Sequence, residues 1–342
     1  MITIVRNILG CLFFHLLPKK YLERWLNRKL SASGYYFHGR FSGRSALLEL
    51  ADVMRKESSA PVALYPEYVC NIVPKALAKA GWIVESYKVD EKLEANPENL
   101  IDRIRQGDVG LLVGASVFGS SGLLDDLCDR QKLSELRTLG VQVIADIAQD
   151  IRLVQKLPEY GNDLISAIVS FNDKSFSGAM GGGIITNIKL PDVQSPIKRK
   201  LLFSLYKSYF LKNVKVIKTY LCPNINTNKR KANGKKFEYS GCDKFPFRLQ
   251  DNYRITKLQL SCAVQGLSQL KQYDRIKQRF LNKNIHVETR FASSSAYLLI
   301  NQDAEYERKR KQKQSYAIEG QPDVSLRPNV LILHNKGFDD FV

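Results

Sequence analysis

Residues 141–149 read VQVIADIAQ, and the pattern around them sets the expected architecture. The apolar run Val141–Ala145 has the length of a short buried strand. It ends on a carboxylate, Asp146, with Gln149 three residues on. Upstream, Asp125–Leu139 has a helical pattern closed by Gly140, a residue suited to the left-handed turn after a helix. Downstream, Ala167–Phe171 and Gly183–Thr186 are further short apolar runs. Toward the N-terminus the same alternation continues. Strands are expected at Val62–Tyr65, Ile83–Tyr87 and Val109–Val113. Helices are expected at Gly43–Arg55, Val69–Ala80 and Asn96–Arg105, the last with Pro97 in its first turn. Alternating strands and helices predict an α/β fold, a mostly parallel, doubly wound sheet covered on both faces. Ligands in such sheets bind beyond the carboxyl ends of the strands, so the residues that follow each apolar run are the candidates for a ligand site.

Beyond this core the chain changes character. Residues 222–246 are rich in Asn, Gly and Pro, Leu258–Asn282 has a long helical pattern, and the tail mixes short apolar runs with a basic one. The division expected is a basic amphipathic helical arm over 1–30, a large domain over 31–236 and a small C-terminal α+β domain over 237–342.

The charge is uneven. Lys and Arg number 52 against 34 Asp and Glu, a net of +18 over 342 residues. Residues 1–30 contribute +5 and residues 197–236 contribute +12, so the rest is close to neutral. One reading of these two segments is a peripheral contact with an anionic membrane, with Trp25 and the leucines of the arm turned to lipid. Another is a basic rim that gathers an anionic substrate; a packed arm and a solvated face are the plainer alternatives. Nucleic acid is not expected, since no DNA- or RNA-binding module accompanies the charge. The six cysteines form no C-x-x-C pair and the four histidines have no metal spacing, so no metal is expected. The apolar stretch 8–17 is too short to span a bilayer. A cytoplasmic protein with reduced thiols is the expectation.

Four places carry candidate chemistry. Ser42-Gly43-Arg44-Ser45 opens a helix, where backbone N–H groups and the helix dipole favour a phosphate; Ser42 would equally serve as a plain cap. Asp146 and Gln149 follow a strand and face the expected crevice, where Asp146 could pair with a pyridinium, a metal or a ribose, or cap a helix. Ser170-Phe171-Asn172-Asp173-Lys174 follows another strand, and Lys174 could form a Schiff base or lie on the surface. Gly181-Gly182-Gly183 leads into a strand and implies close backbone approach. His38, Arg40 and Arg44 are weaker candidates, the arginines for a nucleotide diphosphate or for plain solvation.

In their order these pieces resemble the DegT/DnrJ/StrS family of sugar-nucleotide aminotransferases, pyridoxal-phosphate (PLP) enzymes of fold type I. The resemblance runs from about residue 37 to about residue 282. It rests on Ser42–Leu47, on Pro66 through Gly81, on Val143–Gln149, on Ser170–Gly183, and on Asn252-Tyr253-Arg254 through Leu258-Gln259. It implies a homodimer that transfers an amino group from glutamate to a keto-sugar nucleotide, for amino-sugar or surface-polysaccharide synthesis. It assigns Lys174 as the residue that holds the cofactor and moves the proton. Asp146 would pair with the pyridinium nitrogen and Gln149 with the ring hydroxyl. Ser170, Gly43 and Arg44 would hold the phosphate, and Asn252 would reach the phosphate in the neighbouring subunit. Cys70 stands where the family often has an aromatic residue, so Tyr68 is expected to stack on the ring. Relatives with His in place of the lysine are dehydratases, and Lys174 points to amino transfer. Three residues separate Ser170 from Lys174 where the family has four. A second reading, a non-catalytic relative used in regulation or at a membrane, draws on that spacing and on the basic segments.

Overall fold

A computed structural model describes residues 2–31, 34–90, 93–117, 122–127, 129–160, 164–171, 181–191, 197, 199–207, 209, 253–268, 270, 275, 297–299 and 330–332. Lys174, Asn252 and most of the basic stretch 197–236 lie outside them.

The chain opens with two helices, α1 (Ile2–Leu16) and α2 (Lys19–Leu30). Pro18 stands between them as the N-cap of α2, in extended conformation. β1 (Tyr36–Arg40) follows, then α3 (Gly43–Glu57), β2 (Val62–Pro66), α4 (Ile72–Lys79), β3 (Ile83–Tyr87), α5 (Pro97–Ile104) and β4 (Val109–Ala115). After these come α6 (Gly122–Asp126), α7 (Arg130–Thr138), β5 (Gln142–Asp146), a 3₁₀ run over Ile151–Tyr160, β6 (Ile165–Ser170) and β7 (Gly182–Thr186). α8 (Lys257–Ser268) and a separate antiparallel pair, β8 (Tyr297–Leu299) and β9 (Val330–Ile332), complete the described elements.

Seven strands form one sheet in the order β1-β7-β6-β5-β4-β2-β3. β7 runs antiparallel to both β1 and β6, and the remaining pairs are parallel. The carboxyl ends of β1, β2, β4, β5 and β6 therefore share one edge, where β7 begins. β4 and β7 are buried along almost their whole length, as strands covered on both faces must be. The expectation of an α/β, mostly parallel sheet is met.

Each face has its own apolar layer. Ile144, Ile168 and Ile184 pack with Leu47, Leu50 and Met54 of α3 and Val73 and Leu77 of α4. Val143, Ala145, Val169 and Ile185 pack with residues of α2, α5, α7 and α8 on the other face. Two differences from the sequence pattern have physical causes. The single helix expected over Asp125–Leu139 is two, because the Asp129 side chain accepts from the Gln131 N–H and starts α7 afresh. β1 was not expected: His38, Gly39 and Arg40 break any apolar alternation, and its partner β7 lies about 145 residues away in sequence. α8, inside the span expected for the small domain, buries Leu260, Ala263 and Val264 in the core of the sheet.

Candidate active site

The site is built along one row of the sheet edge. Lateral neighbours in a sheet point to the same face. Ser170 pairs with Gly182, and Gly182 with Arg40, so these three form a row across β6, β7 and β1. Asp146 at the end of β5 pairs with Ile168, two residues before Ser170 and on the same face. Strand spacing and rise put the two backbones roughly 8 Å apart.

α3 closes this row from above. Its start is set locally by a reciprocal cap: the Ser42 hydroxyl accepts from the Ser45 N–H at 3.1 Å, and the Ser45 hydroxyl accepts from the Ser42 N–H at 3.2 Å. The cap takes up Ser45, and the amides of Gly43 and Arg44 precede it at the positive end of the helix. A Cβ on Gly43 would lie 3.2 Å from the Ser170 Cβ. A Cβ on Gly182 would collide with the Val169 carbonyl and stand 2.6 Å from the Gly43 nitrogen. The helix start thus rests on the end of β6 because Gly182 has no side chain. Gly182→Ala is expected to cost about 1–3 kcal/mol through backbone displacement. Urea denaturation measures this, and a loss within 0.5 kcal/mol, about that of an ordinary surface change, would contradict the close approach.

Asp146 is held at both ends. Its carbonyl accepts from the Ser116 N–H at 2.9 Å and the Ser116 hydroxyl at 3.1 Å, and its Oδ1 accepts from the Ala148 N–H at 3.1 Å. That last bond fixes the turn carrying Gln149, which is half-buried. The turn closes with the Asp150 N–H donating to the Ile147 carbonyl.

Arg40 is neither solvated nor free to take a diphosphate, as the sequence allowed. It is 5% exposed and forms a bidentate pair with Glu49 of α3, both bonds at 2.5 Å. Glu49 is equally enclosed at 7%. The pair clamps the end of β1 to α3 and was missed in sequence, because nothing local marks Glu49 as anything but a helix-face carboxylate. His38, one residue pair earlier on the same face, is held below the ordinary imidazole range by burial and by the Arg40 charge, with Glu49 opposing.

Gln259 was quoted in a motif without a role, and the structure supplies one. Its Oε1 accepts from the Thr256 N–H at 2.9 Å, capping α8, and its Nε2 donates to the Phe41 carbonyl at 2.8 Å. It ties α8 to the loop between β1 and α3. The Phe41 N–H donates to the Tyr253 carbonyl at 2.9 Å, and Arg40 bridges to Arg254 beside it. The segment just after Asn252 is therefore held at the end of the sheet where α3 begins.

Gly43, Arg44, Asp146, Gln149 and Ser170 thus converge on one edge. Tyr68 follows β2 at the same edge, but its side chain is 2% exposed, packed among apolar residues of α3 and α4. Cys70 is half-buried.

No protein-family model matches the sequence, and no curated protein matches it. Solved structures do match in fold. A Bacillus cereus protein described as a PLP-dependent aminotransferase aligns with a TM-score of 0.57 at 15% identity, covering 97% of this chain and 91% of that one. A DegT/DnrJ/EryC1/StrS aminotransferase from Brucella abortus aligns at 0.52 and 14%, covering 95% and 89%. The E. coli GDP-4-keto-6-deoxy-D-mannose-3-dehydratase, solved with hydrated PLP, aligns at 0.55 and 14%, covering 94% and 89%. The chain has the fold of these PLP-dependent enzymes.

Proposed function

We propose that the chain is a PLP-dependent aminotransferase that moves an amino group from glutamate to a keto-sugar nucleotide, yielding an amino sugar for a surface polysaccharide. The observation that carries the reading is the row at the sheet edge: the start of α3 rests on Ser170 across a side-chain-free Gly182, with the Asp146 carboxylate one strand away on the same face.

These residues fit the cofactor. A phosphate needs several N–H or O–H donors in a small concavity, and Gly43, Arg44 and Ser170 offer them. A pyridinium needs a fixed carboxylate, and Asp146 is anchored by Ser116 and Ala148. Their separation of roughly 8 Å is on the scale of one aromatic ring with a phosphate arm. When bound, PLP supplies a carbonyl that accepts an amino group and a pyridinium ring that withdraws electrons. The chain's own residues do the rest. Asp146 keeps a proton on the ring nitrogen, Gln149 orients the ring through its hydroxyl, and Ser170 with the α3 amides holds the phosphate. Lys174 Nζ takes the proton from the α-carbon of the amino donor. Asn252 would complete the phosphate site of a second subunit, which makes the active form a homodimer. The presence of Lys174 rather than His favours amino transfer over dehydration.

The test is to load the protein with PLP and add glutamate with a series of keto-sugar nucleotides. Formation of 2-oxoglutarate and an amino-sugar nucleotide is expected. Failure to retain PLP overturns the reading; retention of PLP with no 2-oxoglutarate formed overturns transfer from glutamate and supports a non-catalytic binding protein.

A further inference from the structure

The two N-terminal helices use their apolar residues differently. In α2, Leu22, Leu26 and Leu30 are buried in the core, and Trp25 packs partly against it beneath Lys29. Trp25 therefore does not lie on a lipid-facing side, contrary to one expectation from the sequence. Among its described side chains, residues 9–16, α1 docks by one side. Cys11 is 3% exposed with its Sγ 2.9 Å from Cys262 of α8, Phe14 packs on the core, and Gly10 lets α1 approach Gln265 closely.

The opposite side of α1 stays open. Leu9, Leu12, Phe13 and Leu16 are 55–82% exposed and fall at i, i+3, i+4 and i+7, a single stripe. The helical stretch 199–207 lies beside it: Leu205 packs with Cys11, and the Tyr206 ring meets His15 edge-on with its hydroxyl 3.3 Å from His15 Nε2. That stretch also exposes Phe203, 71%, and Tyr206, 39%. Cations border it. Lys20, Arg24 and Arg28 recur every fourth residue on the open side of α2, and Arg199, Lys200 and Lys207 are exposed on the neighbouring stretch. Exposed apolar side chains in a helical stripe, accompanied by exposed cations, mark an interaction surface.

We propose that α1 and residues 199–207 form a face that docks on an anionic lipid bilayer. The apolar side chains enter the headgroup boundary and the bordering cations meet lipid phosphates. The charge selects this occupant: a second copy of the chain would bring the same cations against the face, whereas an anionic leaflet complements them. α1 is 15 residues long, and no helix among the described residues is long and apolar enough to cross a membrane, so the contact lies on the surface.

The full-length protein is sedimented with vesicles of phosphatidylcholine alone and of phosphatidylcholine–phosphatidylglycerol in roughly 2:1 ratio. Binding to the anionic vesicles alone is expected, weakened by salt. The joint substitution Leu12→Ser, Phe13→Ser and Leu16→Ser should lower the partition coefficient at least about tenfold. Lys20→Glu, Arg24→Glu and Arg28→Glu together, all on an exposed helix face, should lower it about 100-fold. Equal binding to neutral vesicles, no binding, or an unaltered partition in the charge variant overturns the proposal. So does a change in solution mass on serine substitution, which would make the face a contact between copies of the chain.

Discussion

Lys174→Ala is expected to lower amino transfer by at least about 10³-fold, since on the proposed chemistry it removes a proton-transfer group worth roughly 10²–10⁴-fold and the cofactor's covalent anchor together. The protein should also lose the visible absorbance of lysine-bound PLP, while Ser170, the start of α3 and Asp146 still offer PLP a non-covalent site. The variant should therefore bind PLP reversibly and release it on dialysis. Asp146→Asn separates the two contributions, because it retains Lys174 and the absorbance but no longer stabilises a protonated ring nitrogen. Its rate should fall while PLP stays bound. The measurements are single-turnover conversion of glutamate and absorbance before and after dialysis. A Lys174→Ala protein that turns over at the unaltered rate would show that another group moves the proton and that the proposed chemistry is wrong.

Glu49→Ala is expected to cost about 3–5 kcal/mol, because it leaves the guanidinium of Arg40 buried without its counter-charge. Both side chains are under 8% exposed, so water cannot take the place of the lost carboxylate. Against a total stability of about 5–15 kcal/mol for a folded protein, that is a large share. Arg40→Met with Glu49→Leu should recover most of the loss, since replacing both partners removes the desolvation cost along with the attraction. The urea midpoints of the three proteins decide the matter. A Glu49→Ala protein within about 1 kcal/mol of the parent would mean that the pair is open to solvent. The pair lies beside the turn proposed to hold the phosphate, so the single variant should also hold PLP more weakly than the double one does.

Much of the site was legible along the chain because its parts are local. A strand that ends on Asp146, a serine cap before Gly43 and a glycine run leading into β7 are each spelled within a few residues. Their spacing places them at strand ends, and in a parallel sheet those ends share an edge. What was not legible depends on pairs far apart in sequence. β1 is a strand because β7 gives it a partner, and its own residues have little preference for one. Arg40 reads as a surface cation until β1 is laid under α3, where Glu49 encloses it. Tyr68 follows its strand as an aromatic residue suited to a ring, and that its side chain is buried in the apolar layer on the α3 face is a matter of packing that the sequence does not show.

The basic arm divides in the same way. The sequence by itself determined that α1 and α2 are helices, that both carry an apolar face, and that charge is gathered beside them, since periodicity and composition are properties of the chain alone. The tertiary structure decided which faces are used. The α2 face meets the core and is buried, whereas α1 meets α8 with the side that carries Cys11, and its leucines remain outside. Helical periodicity marks an apolar stripe, but only packing supplies or withholds the surface that covers it.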